Sequence, residues 1–267
     1  MRQDMQSLGD RLKKIEQQNT HYVNAEFPLY ARLDGKKFSG FTRGMQRPFD
    51  DVFNEMMTQT VKTLVEETNA SLAFHQSDEI SLFWHDDVAT DFGARRDKLL
   101  GELVGLATAR FVQLTHEFFP NLVNRLPRFD CRLMNVSEAT AADFFMWRQM
   151  DCIKNSVSQM SSAYIAHSEL LGVSTGKRKQ MLEELLGKPW DELPAHYRLG
   201  TFIRRIQEHR TIDVAHIPEE HRWRVPESAI RNVTSKLVYS PIQQFDDPRD
   251  ILYTDMANEY LLEKSDV

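Results

Sequence analysis

The chain has 267 residues, 41% hydrophobic and 27% charged, with a formal net charge of −6 at pH 7. That is apolar material for one large domain or two small ones, while the acidic balance argues against a surface coated in cations for nonspecific polyanion binding. No run of about 18 apolar residues is present, so no transmembrane helix and no membrane partner are expected. The polar stretch Met1–Gln18 lacks the apolar region of a secretory signal. Cys131 and Cys152 are the only cysteines, which excludes a disulfide framework or a cysteine zinc site and points to a reducing, cytoplasmic compartment.

In chain order, residues 1–20 read as a polar helix and residues 27–34 as a β-prone strand. Residues 36–50 form a loop with Gly40, Gly44 and Pro48 that carries Arg43 and Arg47. Residues 50–68 place Phe53, Met56, Met57, Val61 and Leu64 at helical spacing, with Asp50 as the N-cap. Two strand segments, 71–76 and 79–84, meet at Ser77-Asp78. Residues 91–117 are helical, with Phe92, Leu99, Leu103, Leu106, Phe111 and Leu114 near one face. A strand over 129–135 follows, then helix over 138–170 in two segments. A short helix over 177–186 is broken by Gly187-Lys188-Pro189. Tyr197 to Ile203 reads as strand or loop-strand. From about residue 206 the chain is polar, with Pro218, Pro226, Pro241 and Pro248, and is expected to be loop-rich.

This order predicts an α+β protein with a mostly antiparallel sheet, built as a ferredoxin-like βαββαβ core over residues 27–135. The division expected is a catalytic unit over 1–137, followed by a helical subdomain and loop-rich C-terminal region over 138–267 that packs on it.

The chemistry is concentrated at two strand ends. Asp34-Gly35 ends the first strand, and Gln76-Ser77-Asp78-Glu79 sits between the second and third. Carboxylates on adjacent strands can hold hard divalent cations, and Mg²⁺ takes carboxylate, carbonyl and water oxygens together with substrate phosphates. Two such ions clamp the attacking and leaving oxygens of an in-line phosphoryl displacement. Asp-Gly is also a common turn pair, and Ser-Asp-Glu could be a solvated hairpin. Against that, Asp78 and Glu79 adjoin the apolar run Ile80, Leu82, Phe83 and Trp84, where an unpaired charge costs several kcal/mol. We favour the metal site, and with it nucleotidyl transfer. Basic pairs at Lys36-Lys37, Arg95-Arg96, Lys177-Arg178-Lys179 and Arg204-Arg205 are either solvated faces or phosphate contacts.

Six motifs in order resemble the tRNA-histidine guanylyltransferase family, and in particular its bacterial and archaeal "like" branch of 3′-to-5′ RNA polymerases. They are Ala31-Arg32-Leu33-Asp34-Gly35-Lys36-Lys37-Phe38, Arg47-Pro48-Phe49-Asp50, Gln76-Ser77-Asp78-Glu79-Ile80-Ser81, Phe129-Asp130-Cys131-Arg132, Trp147-Arg148-Gln149-Met150-Asp151-Cys152 and Tyr197-Arg198-Leu199-Gly200-Thr201. The resemblance covers roughly residues 22–205. It implies a polymerase palm with an appended helical region. It also implies two Mg²⁺ ions held by Asp34, Asp78 and the Gly35 carbonyl, and a homotetramer acting on tRNA with ATP and GTP as substrates. The loop Asp34, Gly35, Lys36, Lys37, Phe38, Ser39 would wrap the triphosphate through backbone N–H groups, a geometry that suits an anion. Ser77 would contact the triphosphate, Glu79 would orient the metal site, and Arg47 and Asp50 would lie near the nucleotide. One departure is informative. The family's eukaryotic branch carries His-Ile-Asn-Asn where this chain has Ile153-Lys154-Asn155-Ser156. The "like" branch also lacks that His, and for it templated repair of 5′-truncated tRNA is implied.

Two competing functions remain on the sequence alone. A nucleotide-cyclase-like palm enzyme could use the same carboxylates without tRNA, although the Gly-Gly-Asp/Glu-Glu-Phe signature is missing. A non-enzymatic RNA-binding module on a ferredoxin-like sheet would need stacking aromatics and an RNP-type motif. Neither is found, because Phe83 and Trp84 alternate across the sheet.

Overall fold

The computed structural model describes residues 2–85, 93–225, 228–237 and 241–253. After a polar N-terminal helix α1 (Arg2–Gln18), the chain enters β1 (Leu29–Lys36), α2 (Phe38–Phe41), α3 (Asp51–Thr68), β2 (Leu72–Gln76), β3 (Glu79–Trp84), α4 (Arg96–Phe118) and β4 (Arg128–Asn135). This is the expected βαββαβ core. Asp50 caps α3 by accepting from the Phe53 amide, as its position before the apolar run predicts. Phe92 lies outside the described residues.

Among the described residues the sheet has six strands in the order β4-β1-β3-β2-β5-β6. Every pairing is antiparallel. Strand alternation decides which helices cover which face. Leu29, Ala31 and Leu33 of β1, with Ile80 and Leu82 of β3, join Met56, Met57, Val61 and Leu64 of α3 and Leu103, Phe111 and Leu114 of α4 in one core. Tyr30, Leu72, Phe74 and Phe83 point the other way. They meet Ala141, Ala142 and Phe145 of the long helix α5 (Glu138–Tyr164). Phe83 and Trp84 therefore face opposite sides and both are buried. Among the described residues, the sheet offers no exposed aromatic platform to RNA. Each fully buried Phe or Leu contributes about 1.5–3 kcal/mol.

Beyond α5 come α6 (His167–Leu170), α7 (Thr175–Leu186) and α8 (Ala195–Leu199), then β5 (Thr201–Thr211), β6 (Ser228–Leu237) and α9 (Asp250–Tyr253). Val157, Met160, Leu182, Trp190 and Leu193 form a third, smaller core between α5 and α7. Two expectations are corrected here. Tyr197 to Ile203 is not one strand-like piece: it splits at Gly200 into a helical turn and the start of β5. The stretch after 206 is not all loop, because β5 runs to Thr211 and β6 pairs with it along its whole length. Polarity hid this hairpin.

Candidate active site

β1 and the β2–β3 turn bring the two acidic motifs together. Asp34 is the cross-strand partner of Glu79, and the Gly35 amide donates to the Asp78 carbonyl at 3.1 Å. A Cβ at Gly35 would sit 2.5 Å from Cδ2 of Phe38 and 2.7 Å from Oδ2 of Asp78. Glycine is thus required by close approach. Ser77 takes the left-handed conformation with φ 47°, which turns the chain in two residues and aims the Asp78 carboxylate at β1. Lys37, at φ 63°, does the same before α2. It gives α2 no side-chain cap, so the first amides, those of Phe38 and Ser39, lack an intrahelical acceptor. The Phe38 ring is buried among Phe41, Phe53, Phe111 and Phe129, so Phe38 anchors this loop while Lys36, Lys37 and Ser39 are exposed.

Electrostatically the site is a compressed acidic group. Burial pushes the Asp34 carboxyl above its ordinary range and the neighbouring Asp130 adds to this, while Arg32 and Arg148 oppose it. Burial is also the main cause of the raised Asp78, with Asp34 contributing. Glu79 is raised by burial and held back chiefly by Arg148. Arg148 is 5% exposed. Its Nε lies 2.5 Å from Oε1 of Glu79, and another of its nitrogens donates to Asp151 at 2.7 Å. Glu79, expected to orient the metal site, therefore reaches the carboxylate pair from a position locked by α5. Arg148 and Asp151 do form the i,i+3 pair their spacing allows.

A cavity of about 600 Å³ opens beside these carboxylates. Its walls include Ser39, Arg43, Arg47, Asn54, Gln76, Ser77, Asn155 and Tyr197. The Tyr197 ring stacks on Phe49 with centroids 4.3 Å apart. A polar cavity of this size matches a drug- or nucleotide-sized ligand. The structure thus brings Ser39, Arg47, Asp50 and Ser77 to one cavity, with Asp34, Gly35 and Asp78 beside it. Both Asp50 oxygens are engaged, Oδ1 by the Phe53 amide at 2.9 Å and Oδ2 by the Gln46 amide at 3.0 Å, so Asp50 shapes the wall from within the protein. Asn155 was met in the sequence only as part of the departure from His-Ile-Asn-Asn, and Ser158, Gln159 and Ser162 were not singled out; all four line the cavity. They form a stripe of small polar residues at i, i+3, i+4 and i+7 on α5, the pattern that could have revealed a polar lining.

Asp34, Asp78 and the Gly35 carbonyl offer hard oxygen donors suited to Mg²⁺, which commonly uses one or two carboxylates and completes its shell with water and phosphate. Crowded carboxylates with raised proton affinity are what a divalent cation relieves. Among the described residues no group of three or more His, Cys, Asp or Glu is placed to hold a metal by itself, so any ion here would depend on ligand oxygens. Other candidates are structural. His75 is buried, with Nε2 3.0 Å from the Thr58 hydroxyl. Burial pushes the Cys131 and Cys152 thiols up to about 12. Arg96, Arg178 and Arg204 of the basic pairs donate to main-chain carbonyls.

A family model described as tRNAHis guanylyltransferase matches residues 9–137. A tRNA(His) guanylyltransferase of Eremothecium gossypii is 29% identical over 204 residues, covering 70% of this chain and 86% of the relative. A solved bacterial tRNA(His) guanylyltransferase-like protein in complex with ATP superposes with a TM-score of 0.71 at 25% identity, covering 89% of this chain and 94% of that one. A corresponding complex with GTP gives a TM-score of 0.68 at 25% identity, over 92% and 100% of the two chains.

Proposed function

We propose that the chain is a nucleotidyltransferase of the tRNA(His) guanylyltransferase family, a reading supported by its likeness to the family model and relatives above, and that it adds nucleotides, G among them, to the 5′ end of tRNA in the 3′-to-5′ direction. The observation that carries the proposal is the junction of Asp34-Gly35 with Ser77-Asp78, beside a polar cavity of about 600 Å³. ATP and GTP are the substrates in this reading, consistent with the nucleotides bound by the two similar bacterial structures.

The reaction runs in stages. The 5′-monophosphate of the tRNA attacks the α-phosphorus of ATP, forming an adenylylated end and releasing pyrophosphate. The 3′-hydroxyl of GTP then attacks the activated 5′-phosphorus and AMP leaves. Pyrophosphate is finally removed from the added nucleotide, and a tRNA that begins with a triphosphate needs no activation. Asp34, Asp78 and the Gly35 carbonyl would hold two Mg²⁺ ions, which when bound supply charge neutralisation at the phosphoryl oxygens. This chain's residues do the positioning, which is most of catalysis in phosphoryl transfer. The amides of Phe38 and Ser39, with Lys36 and Lys37 close by, receive the triphosphate, and Ser77 and Arg47 flank it. Residues 1–137 carry these groups, and residues 138–267 contribute α5, which closes the cavity. A homotetramer in the cytoplasm completes the proposal. Asn155-Ser156 in place of Asn-Asn, and the missing His, favour templated repair of 5′-truncated tRNA over strict addition to tRNA-His.

The test supplies Mg²⁺, ATP and labelled GTP with two 5′-monophosphorylated tRNA-His transcripts, one full length and one lacking its first paired nucleotide. Extension of the truncated transcript alone identifies a templated repair polymerase, and extension of both a guanylyltransferase with relaxed template use. No extension, even from 5′-triphosphorylated RNA, overturns the proposal in favour of a cyclase-like enzyme.

A further inference from the structure

Trp147 is out of place by ordinary burial rules. Its neighbour Arg148 is 5% exposed, yet the Trp147 indole is 49% exposed on the same helix. The ring is not loose. The Arg148 guanidinium lies 4.4 Å from its centroid and the Arg32 guanidinium 5.6 Å. Phe144 adds a tilted contact at 6.2 Å. The side chain is thereby held by three neighbours while about half of the residue's surface stays open to solvent.

Its place in the fold gives the ring a purpose. Arg32 precedes Asp34 by two residues on β1, so both side chains leave the sheet on the α5 face, about 6.6 Å apart along the strand. The cross-strand partners on the edge strand β4 are Arg132 for Arg32 and Asp130 for Asp34, and Arg132 is exposed. The nucleotide cavity touches the sheet on the other side, at Gln76 and Ser77 by β2. The sheet order β4-β1-β3-β2 therefore sets Asp34 and Asp78 between two different surfaces. On the β2 side is the open-mouthed cavity lined by Gln76 and Ser77. On the β4 side is an open surface carrying Arg32, Arg132 and Asp130 with one fixed aromatic ring. A reaction that joins a triphosphate to a nucleic-acid end needs one surface for each.

We propose that Trp147 is the stacking platform for the terminal base of the RNA end, opposite the nucleotide cavity across the carboxylate pair. The inference rests on the RNA-extending reading given above. Aromatic stacking suits this role because every base has a π-face, which lets one ring serve many end sequences. The competing use of the ring is as an apolar cover over the Arg148–Glu79 pair, which any bulky apolar side chain could supply.

Full-length wild type, W147A, W147L and W147F separate these uses. A 5′-monophosphorylated tRNA is the probe, read by fluorescence anisotropy without nucleotides and by extension kinetics with them. Stacking predicts that W147A weakens tRNA binding and raises the KM for tRNA about 5- to 150-fold, with the KM for GTP changing less than about twofold. W147F restores most of the affinity, whereas W147L, which still covers Arg148, does not. W147L binding tRNA as well as wild type, or a loss confined to the KM for GTP, overturns the inference. A wild type that binds tRNA without extending it defeats the functional reading but leaves anisotropy to decide on Trp147. A wild type that neither binds nor extends defeats both.

Discussion

Gly35→Ala tests whether the loop geometry, rather than the mere presence of two carboxylates, makes the site. The added methyl would lie 2.5 Å from Cδ2 and 2.6 Å from Cγ of Phe38, and 2.7 Å from Oδ2 of Asp78. Optimal carbon contacts are about 3.5–4.0 Å, so something must move by close to 1 Å. Phe38 is hemmed in by four aromatic rings with centroids 5.1–6.2 Å away, so the Asp78 carboxylate and its turn must yield. Overpacking of this kind costs about 1–3 kcal/mol, or roughly 2–4 °C in Tm per kcal/mol for a protein of this size. Misplacing a reacting group by 1 Å costs about 10²-fold in rate. The expected outcome is a folded variant with a modestly lowered Tm whose kcat/KM for GTP addition falls by about two orders of magnitude. Single-turnover extension and a thermal melt on the same preparation measure both. Activity within about threefold of wild type would show that Asp78 need not sit against Gly35, and the proposed placement would be wrong.

Asp78→Asn should abolish nucleotide addition yet raise the metal-free Tm at pH 7. The folded carboxyl is raised above its ordinary 3.8, so its stabilising contribution is complete below that pH and lost as pH rises. The gain should vanish in melts near pH 3.8, and a less stable Asn variant at neutral pH would contradict the argument. Arg148→Met strands Glu79 and should cost about 3–5 kcal/mol, with much of the loss recovered in the Arg148→Met/Glu79→Gln double variant; a denaturant titration showing no recovery would rule the coupling out. Asp50→Ala should cost about 0.5–2 kcal/mol through the lost α3 cap. Asp50→Ser should regain both stability and activity if the cap is its whole role, and stability alone if the carboxylate also meets the nucleotide.

The core fold was legible because β1 and β3 are short β-prone runs, buried along most of their length, α3 repeats Phe53, Met56, Met57 and Val61 at helical spacing, and turn residues lie between them. Asp34 and Asp78 could be read because carboxylates beside a β-rich apolar run need a reason. The cavity was harder to read. Its lining comes from α5, α8 and the 39–54 segment, which only tertiary folding brings together, and small polar residues such as Ser158 and Ser162 look like any solvated helix face. The β5–β6 hairpin escaped notice for the opposite reason. Thr201 to Arg204 are buried, but the sequence from Arg205 on is polar and carries no apolar alternation to read. Trp147 lies inside one of the six motifs, yet only its exposure in the fold distinguishes it from a core tryptophan such as Trp84.

The acidic character of the chain bears on how the site can work. Asp34, Asp78, Glu79 and Asp130 share one end of the sheet with Arg32, Arg132 and Arg148. The carboxylates outnumber the guanidiniums, and Arg148 is committed to Glu79 and Asp151. Left alone, this surface repels both a triphosphate and an RNA end. The proposed divalent cation on Asp34 and Asp78 would reverse the local sign, because it would bring more charge than the excess it meets. Ion and polyanion would then be mutually dependent, since among the described residues the protein's carboxylates do not form a closed metal cage and Mg²⁺ fills its shell with phosphate. Such a site would stay uncommitted until metal and substrate arrived together. On the proposed function, an enzyme of net charge −6 would act on nucleic acid without a broadly basic surface, with the Lys36-Lys37 loop, Arg47 and the Arg32–Arg132 edge as the proposed phosphate contacts.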